Sequence, residues 1–558
     1  MLKKFFTTVA RRFSTPKPSS GNECEQKQIS PEQVFPEQVV LEVQEEMVQL
    51  RLLAEQSAWL KLEDVGRELL SKNPDQDEAI ALVAYSLQQQ ARFEEAATFA
   101  IQAAALSPVS WLPHFIAGVA LKRLGREKDA AKYLRKAVSI SPNDRQTIRQ
   151  LIEAIAATEG IEIAASEYTA HCQLIGIEAD MVAAPISTVQ DWAQKIGLTL
   201  LDAGDVEEIP FKAPHVWGSP SVSDTTIALS NKPYVADIAD ARIFSNSSII
   251  LTGDGTALSD TGGHPQFGGY VSFAYEAVVL AQQPDKVLLN FSEFTTREIE
   301  AGIFLSGLAS DAFGHWLPEF LPKLQFLQQH PDFADLPLIV DADMPQSHFD
   351  HLRRLANNPL ILLQANESLL CRRLLVAPSP AFSPVELFPN DIPVPKMPGL
   401  SPRALRFIRA DEPAETIRHG QRRIFLARKN MKWRRLLNEE EIAADLSKLN
   451  FETILIEEFT VSQQIELFQQ AEWIVAPNGS ALLNLVFADP SVKLLVLTQP
   501  NLFNWGTFQG PMDSLGYQSI CVPGDYAVAE NQKHSDYRIP VQRIRQALSY
   551  FGINETLA

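Results

Sequence analysis

Cysteine is scarce and scattered: Cys24, Cys172, Cys371 and Cys521 are the only four in the chain, and no two are spaced as a metal or redox pair. That excludes a disulfide scaffold and a zinc module and fits reduced thiols in a cytosol. Long apolar runs are also missing, since no stretch approaches the roughly 20 residues that a membrane-spanning helix needs. Cations are in deficit, with 49 Lys and Arg against 68 Asp and Glu and a net charge of -19. Nucleic acid is therefore excluded as a partner, because phosphate backbones demand a basic face, and any basic site must be local. What is abundant is apolar content, 46% of 558 residues. That suits a soluble protein of several domains at about 100–200 residues each.

The cations that do cluster lie first at the start. The segment MLKKFFTTVARRFSTPKPSSGN has five of them before the first acid, Glu23. Phe5, Phe6, Val9 and Phe13 beside Lys3, Lys4, Arg11 and Arg12 read as a peripheral membrane contact through residues 1–13, as a mitochondrial presequence or as a disordered basic tail. Pro, Ser, Glu and Gln continue the segment as a flexible linker, so residues 1–40 form a tail. From 41 to 177 the pattern is helical and alanine-rich. Pro74, Pro108 and Pro142 stand 34 residues apart, the period of tetratricopeptide repeats. Counting from each proline puts Ala96, Ala103, Gly118, Ala130, Leu134 and Ala137 at the small or apolar positions where paired helices pack, with a degraded last unit around Ala164 and Tyr168. Such an array either holds a protein partner on its concave face or serves as a spacer or dimerisation arm.

Residues 178–246 read as a connector with two strands. An α/β half is expected over 247–377, with strands at Ile249–Leu251, Val287–Asn290, Leu338–Val340, Leu360–Leu363 and Leu374–Ala377. The proline-rich stretch 378–421 is a stiff interdomain linker. In 422–558, apolar runs at Ile424–Ala427, Thr453–Ile456, Trp473–Ala476 and Lys493–Leu497 alternate with helix-period segments, which predicts βαβ units and a second Rossmann-like half.

Ligands of a parallel sheet sit beyond the carboxyl ends of its strands. The residues found there are Arg428, Lys429, Lys432, Arg434 and Arg435 after the first run, Glu457 and Glu458 after the second, and Asn478-Gly479-Ser480 after the third, with Asn484 further along the same turn. The cations suit a diphosphate or a solvated loop, and the glycine turn suits an anion at a helix start or a plain strand-to-helix turn. Asn438 to Glu441 read as an N-cap followed by a Glu that reaches back to it. His315 and Glu319, four apart, share a helix face, either as a stabilising pair or as a proton-handling one. Asp341-Ala342-Asp343 has the form of a divalent-metal motif, but with the cations of 428–435 available to neutralise a diphosphate no metal is expected. His264 reads as a loop residue.

In their order, GHWLPEFLPKLQFL at Gly314–Leu327, RKNMKWRRLLNEEEI at Arg428–Ile442, EEFTVSQQIELFQQAEWIVAPNGSALLNLVFADP from Glu457 and a final DYRIPVQRIRQAL resemble glycosyltransferase family 61 over roughly 245–551. The chain departs from that family at Asn478, where His is usual, and at Lys323, where Arg is usual. The resemblance implies a GT-B fold and an inverting, metal-independent transfer from a nucleotide-sugar donor to a glycan acceptor, as in polysaccharide synthesis at the cytoplasmic side. It assigns Glu319 as the base and His315 as a cleft contact, with Arg428, Arg434 and Arg435 near the diphosphate. Glu457 then reaches a ribose hydroxyl, and Asn478, Gly479, Ser480 and Asn484 line the donor site. Two alternatives stand beside it: a protein acceptor held by the repeats, and a non-catalytic scaffold with a silent transferase domain.

Overall fold

The computed structural model describes residues 37–212, 215–219, 225–259, 273, 275–380, 401–409, 420–428, 434–500, 516–527 and 536–553. The basic segment 1–13, Cys24, His264, Lys429, Lys432 and residues 381–400 of the proline-rich linker lie outside the described residues. The chain divides into two compact units, one of residues 1–181 with 280–283, the other of 182–279 with 284–558.

The described part of the first unit begins with a run of helices, Glu37–Glu55, Trp59–Lys72, Asp77–Gln89, Phe93–Leu106, Trp111–Arg123, Glu127–Ile140, Arg145–Glu159 and Ile161–Ile175. Helix starts at Trp59, Phe93, Glu127 and Ile161 follow a 34-residue step, as do those at Asp77, Trp111 and Arg145. Packing explains the repeat. Ala96, Ala103, Ala130, Leu134, Ala137 and Ala164 are fully buried, and a Cβ added at Gly118 would stand 2.5 Å from Leu134 Cγ, so small residues set how closely paired helices approach. Pro74, Pro108 and Pro142 each follow a helix C-cap, at Asn73, Ser107 and Ser141, where a proline stops the helix. Among the described residues no helix is long and apolar enough to cross a membrane.

The second unit is mixed α/β. Its larger sheet runs β12-β11-β10-β13-β5-β6-β7-β1-β9 in order, with β2 paired to β5. The strands span β1 Met181–Thr188, β2 Leu201–Asp202, β5 Tyr234–Phe244, β6 Ile249–Leu251, β7 Ala257–Ser259, β8 Val279–Gln282, β9 Lys286–Asn290, β10 Thr295–Phe304, β11 Leu338–Asp341, β12 Leu360–Leu363 and β13 Glu367–Val376. A separate hairpin joins β3 Glu208–Lys212 to β4 Thr225–Leu229. The parallel character expected from residue 247 onward is found among β10–β13 and where β7 pairs with β1, while β5 with β6 and β6 with β7 pair antiparallel. Residues 178–246 do not merely connect: β1 and β5 lie within the sheet itself.

The smaller sheet is all parallel, in the order β15-β14-β16-β17-β18, formed by β14 Arg422–Ala427, β15 Phe451–Leu455, β16 Ala471–Pro477, β17 Lys493–Thr498 and β18 Gln518–Pro523. The chain leaves β14 for β15 on one side and returns to β16 on the other. A crevice therefore opens at the carboxyl ends of β14 and β16, the switch point where such sheets bind ligands. One apolar cluster runs from Leu305, Trp316 and Leu338 beside the larger sheet to Ile424, Ile474 and Leu483 beside the smaller.

Within that cluster's border sit two fully buried histidines on the helix Gln346–Leu355. His348 and His351 have no hydrogen-bond partner at either ring nitrogen among the described residues. His351 stacks on Phe487, with ring centroids 5.9 Å apart, and His348 meets Trp316 edge to face at 5.5 Å. Burial pushes His348 down to about 4, and burial with the Arg354 and His348 charges pushes His351 down to about 3. Both rings fold neutral, so the unfolded chain binds more protons below the ordinary histidine value of about 6.5. Their contribution is fully present above that pH and is lost as pH falls towards 4 and 3. We expect the urea midpoint to drop steeply between pH 6.5 and 4.5, and His351→Phe, which keeps the stack, to flatten the drop. An unchanged slope in that variant would contradict this assignment.

Candidate active site

The first half of the site comes from a helix that its own sequence distorts. Pro318 and Pro322 lie inside GHWLPEFLPKLQFL, and a proline inside a helix removes a donor and crowds the carbonyl four residues back. The segment accordingly passes from an α-turn at Phe313–His315 through a π-helical stretch at Trp316–Phe320 and a 3-10 turn at Leu321–Lys323 to an α-turn at Leu324–Leu327. Such interruptions recur at functional sites. His315 Nδ1 and Glu319 Oε1 are 2.8 Å apart, with 26% of the His315 side chain exposed against 9% of Glu319. An ionised carboxylate only accepts, so Nδ1–H donates to it and Nε2 of the neutral ring is left as the acceptor. Burial alone lowers the His315 pKa, but the charge and hydrogen bond of Glu319, helped by Asp311, outweigh it and the net shift is upward. Ser379 Oγ donates to the Glu319 backbone carbonyl at 3.0 Å and fixes this turn. One turn on, Lys323 is buried with Nζ 5.1 Å from the Phe320 ring centroid, a cation–π contact.

The second half lies at the switch point. Arg428 Nη2 donates to the Asn478 carbonyl at 2.7 Å. A Cβ at Gly479 would fall on the Arg428 guanidinium. Gly479 has φ 175, extended backbone that any residue adopts, so glycine is required there by this contact and not by backbone strain. Burial lowers the Arg428 pKa, and the Arg434 charge pushes the same way while Tyr537, Glu439 and Glu457 oppose it. Two guanidinium groups thus repel each other at the end of β14, a setting that an anion between them relieves. Arg434 is held at φ 56, left-handed for a non-glycine residue, and its buried Nε has no partner among the described residues. Strained backbone of this kind clusters at ligand sites.

Other expected residues divide. Glu457 stands exposed in the 3-10 turn Ile456–Glu458 at the end of β15. Asn478 donates its N–H to Leu497 O at 2.8 Å, and Ser480 opens the 3-10 helix Ser480–Phe487. Asn484 is buried; its Nδ2 donates to Ala481 O at 3.3 Å, and its Oδ1 has no partner among the described residues. Arg435 turns away to Asp536, with Nη2 and Nε at 2.6 and 2.9 Å. Asn438 precedes its helix but makes no side-chain cap; its Nδ2 donates to Glu441 at 3.1 Å and to Ile539 O at 2.9 Å. Glu439, which reads in sequence as a helix-start acid, accepts the Arg428 backbone N–H at 3.0 and 3.1 Å, and burial raises its pKa. Nothing in its spacing signals that role.

Both halves meet, because the Phe313–His315 turn packs against the Ser480–Phe487 helix. Asp341 is engaged within the fold. Its carboxylate accepts from Ser306 Oγ and Ser310 Oγ at 2.7 Å each, from Gly307 N at 3.2 Å and from Asn246 N at 2.8 Å. Among the described residues no three His, Cys, Asp or Glu side chains gather as a cation site. Asp341→Ala should cost about 3 kcal/mol or more, since three buried donors and one half-buried donor lose their acceptor at about 1–3 kcal/mol each. A melting temperature within error of the parent would contradict that bracing role.

Residues 313–495 match the family model described as Glycosyltransferase 61, a match that begins at the first residue of the distorted helix and includes Arg428 and the 478–484 turn. The segment that builds the site is thus similar to that glycosyltransferase family. No curated protein sequence matches the chain. Among solved structures, MamA residues 41 to the end from Desulfovibrio magneticus RS-1 is 16% identical, covering 24% of this chain and 76% of that one at a TM-score of 0.23. MamA AMB-1 is 20% identical, covering 24% and 78% at 0.22. The first tetratricopeptide domain of Spaghetti (RPAP3), solved with an HSP90 peptide, is 16% identical, covering 21% and 91% at 0.20.

Proposed function

We propose that the chain is an inverting glycosyltransferase of GT-B form, moving a sugar from a nucleotide-sugar to a hydroxyl of a glycan acceptor. The observation that carries this reading is the packing of the His315 turn against the helix that follows Gly479, within the segment matched by the family model. Arg428 and Arg434 bind the diphosphate and take up the charge that develops as the anomeric C–O bond breaks. The acceptor oxygen attacks the anomeric carbon from the opposite side, and its proton passes to the His315–Glu319 pair. The burial order favours His315 Nε2 as the atom that receives it, with Glu319 holding the ring. Glu457 reaches the ribose, and Asn478, Ser480 and Asn484 line the donor.

No divalent metal enters this scheme, since the guanidinium groups neutralise the diphosphate and Asp341 is committed to its four donors. EDTA is expected to leave turnover unchanged; loss restored by manganese would contradict it. The helical repeats favour a second reading of the acceptor, a protein held on their surface. A thermal-shift screen of UDP-, GDP- and CMP-sugars tests the donor assignment, because a ligand at 100 times its Kd adds about 2.7 kcal/mol of stability. Stabilisation by one sugar nucleotide is expected; stabilisation by none favours a non-catalytic scaffold.

A further inference from the structure

Away from the His315 and Arg428 groups, a cleft of about 430 Å³ is lined by Trp217, Gly218, Pro523, Pro540, Gln542, Arg543 and Gln546. It is assembled from distant parts of the chain. Residues 215–217 join the open edge of β18: Cys521 N donates to His215 O at 2.8 Å and Trp217 N donates to Cys521 O at 2.7 Å. This places Trp217 beside the C-terminal helix Val541–Tyr550, where its ring meets Tyr550 at 5.8 Å, edge to face. Tyr550 is in turn 5.8 Å from the His215 ring, so the three rings pack on one another.

The polar wall is equally fixed. Gln542 and Gln546 are exposed, four residues apart and so on one helix face, and neither side chain has a hydrogen-bond partner among the described residues. Arg543 is held in place by donating Nη1 to Pro523 O at 2.5 Å and Nη2 to Asp525 at 3.4 Å. An indole ring, two planar amides with donors and acceptors, and a braced guanidinium form a wall that matches one ligand chemistry. Sugar rings offer an apolar C–H face for an aromatic and equatorial hydroxyls for bidentate amides. The volume falls within the usual range of small-ligand sites, about 300–1,000 Å³. Pro523, the last residue of β18, contributes to the lining, and β18 lies two strands from β16 in the smaller sheet.

We propose that this cleft is a saccharide subsite that holds a neutral stretch of the glycan acceptor or product while the reacting end lies near His315. Its use in transfer rests on the proposed function; its binding of saccharide does not.

The test is titration calorimetry of the full chain with chitotetraose, xylotetraose and maltotetraose, without donor, repeated with Trp217→Ala and with Gln546→Ala. At least one tetrasaccharide should bind, about tenfold more weakly in Trp217→Ala and more weakly in Gln546→Ala, whose exposed position spares the fold. Binding by none of the three, binding untouched by both substitutions, or a site that takes UMP in their place overturns the proposal. Because no turnover is measured, failure here is distinguishable from failure of the transferase reading.

Discussion

Gly479→Ala is expected to weaken nucleotide-sugar binding by about tenfold or more without altering the secondary structure. The glycine backbone is extended there, so alanine brings no conformational strain. Its Cβ, however, occupies the place of the Arg428 guanidinium, which donates to the Asn478 carbonyl at 2.7 Å. Displacing that group removes a charge-assisted hydrogen bond to the diphosphate, worth roughly 1.5–3 kcal/mol. Arg428→Ala should lose the same affinity. Because both substitutions break one interaction, the double variant should bind donor no more weakly than Arg428→Ala alone. Additive losses, or donor titrations that ignore both changes, would count against a diphosphate at the end of β14.

Glu319→Gln is expected to act on the chemical step instead, lowering turnover by about 10²–10⁴, the usual contribution of positioned proton transfer, with donor affinity kept. The pH profile separates its two possible roles. His315 is raised above its ordinary value because Glu319 outweighs burial. The active neutral ring is lost below its pKa, so the parent's acid limb should lie above pH 6.5, about where a free histidine titrates. In Glu319→Gln the opposing charge is gone, burial dominates, and the limb should move to lower pH. His315→Ala should then be as slow as Glu319→Gln. If Glu319 itself takes the proton, Glu319→Gln abolishes the acid limb because Gln does not titrate, and His315→Ala retains most of its turnover.

The smaller sheet was legible because β14, β16 and β17 are apolar runs buried on both faces, which periodicity detects directly. The helical repeat was legible for a similar reason, since its alanines and prolines recur at a fixed step. β10 was not. Its first half, TTREIE, is polar and largely exposed, and its place is set by pairing with β13 some 70 residues away. β5 was hidden too, because YVADIADARIF spreads its apolar residues among acids and alanines. At the site, the four-residue spacing of His315 and Glu319 announced their contact, whereas the meeting of Arg428 with Gly479 depends on how β14 and β16 lie side by side. The commitment of Arg435 to Asp536, of Glu439 to the Arg428 amide and of Asp341 to donors at 246 and 306–310 likewise arises only in three dimensions.

The most direct test of the account is single-turnover release of nucleotide from the sugar nucleotide that stabilises the protein, measured for the parent and for His315→Ala alongside donor titration of both. The account predicts equal donor affinity and a rate lower by about 10² or more in the variant. A variant that turns over like the parent, or a parent that binds donor and releases no nucleotide in the presence of acceptor glycan, would contradict it.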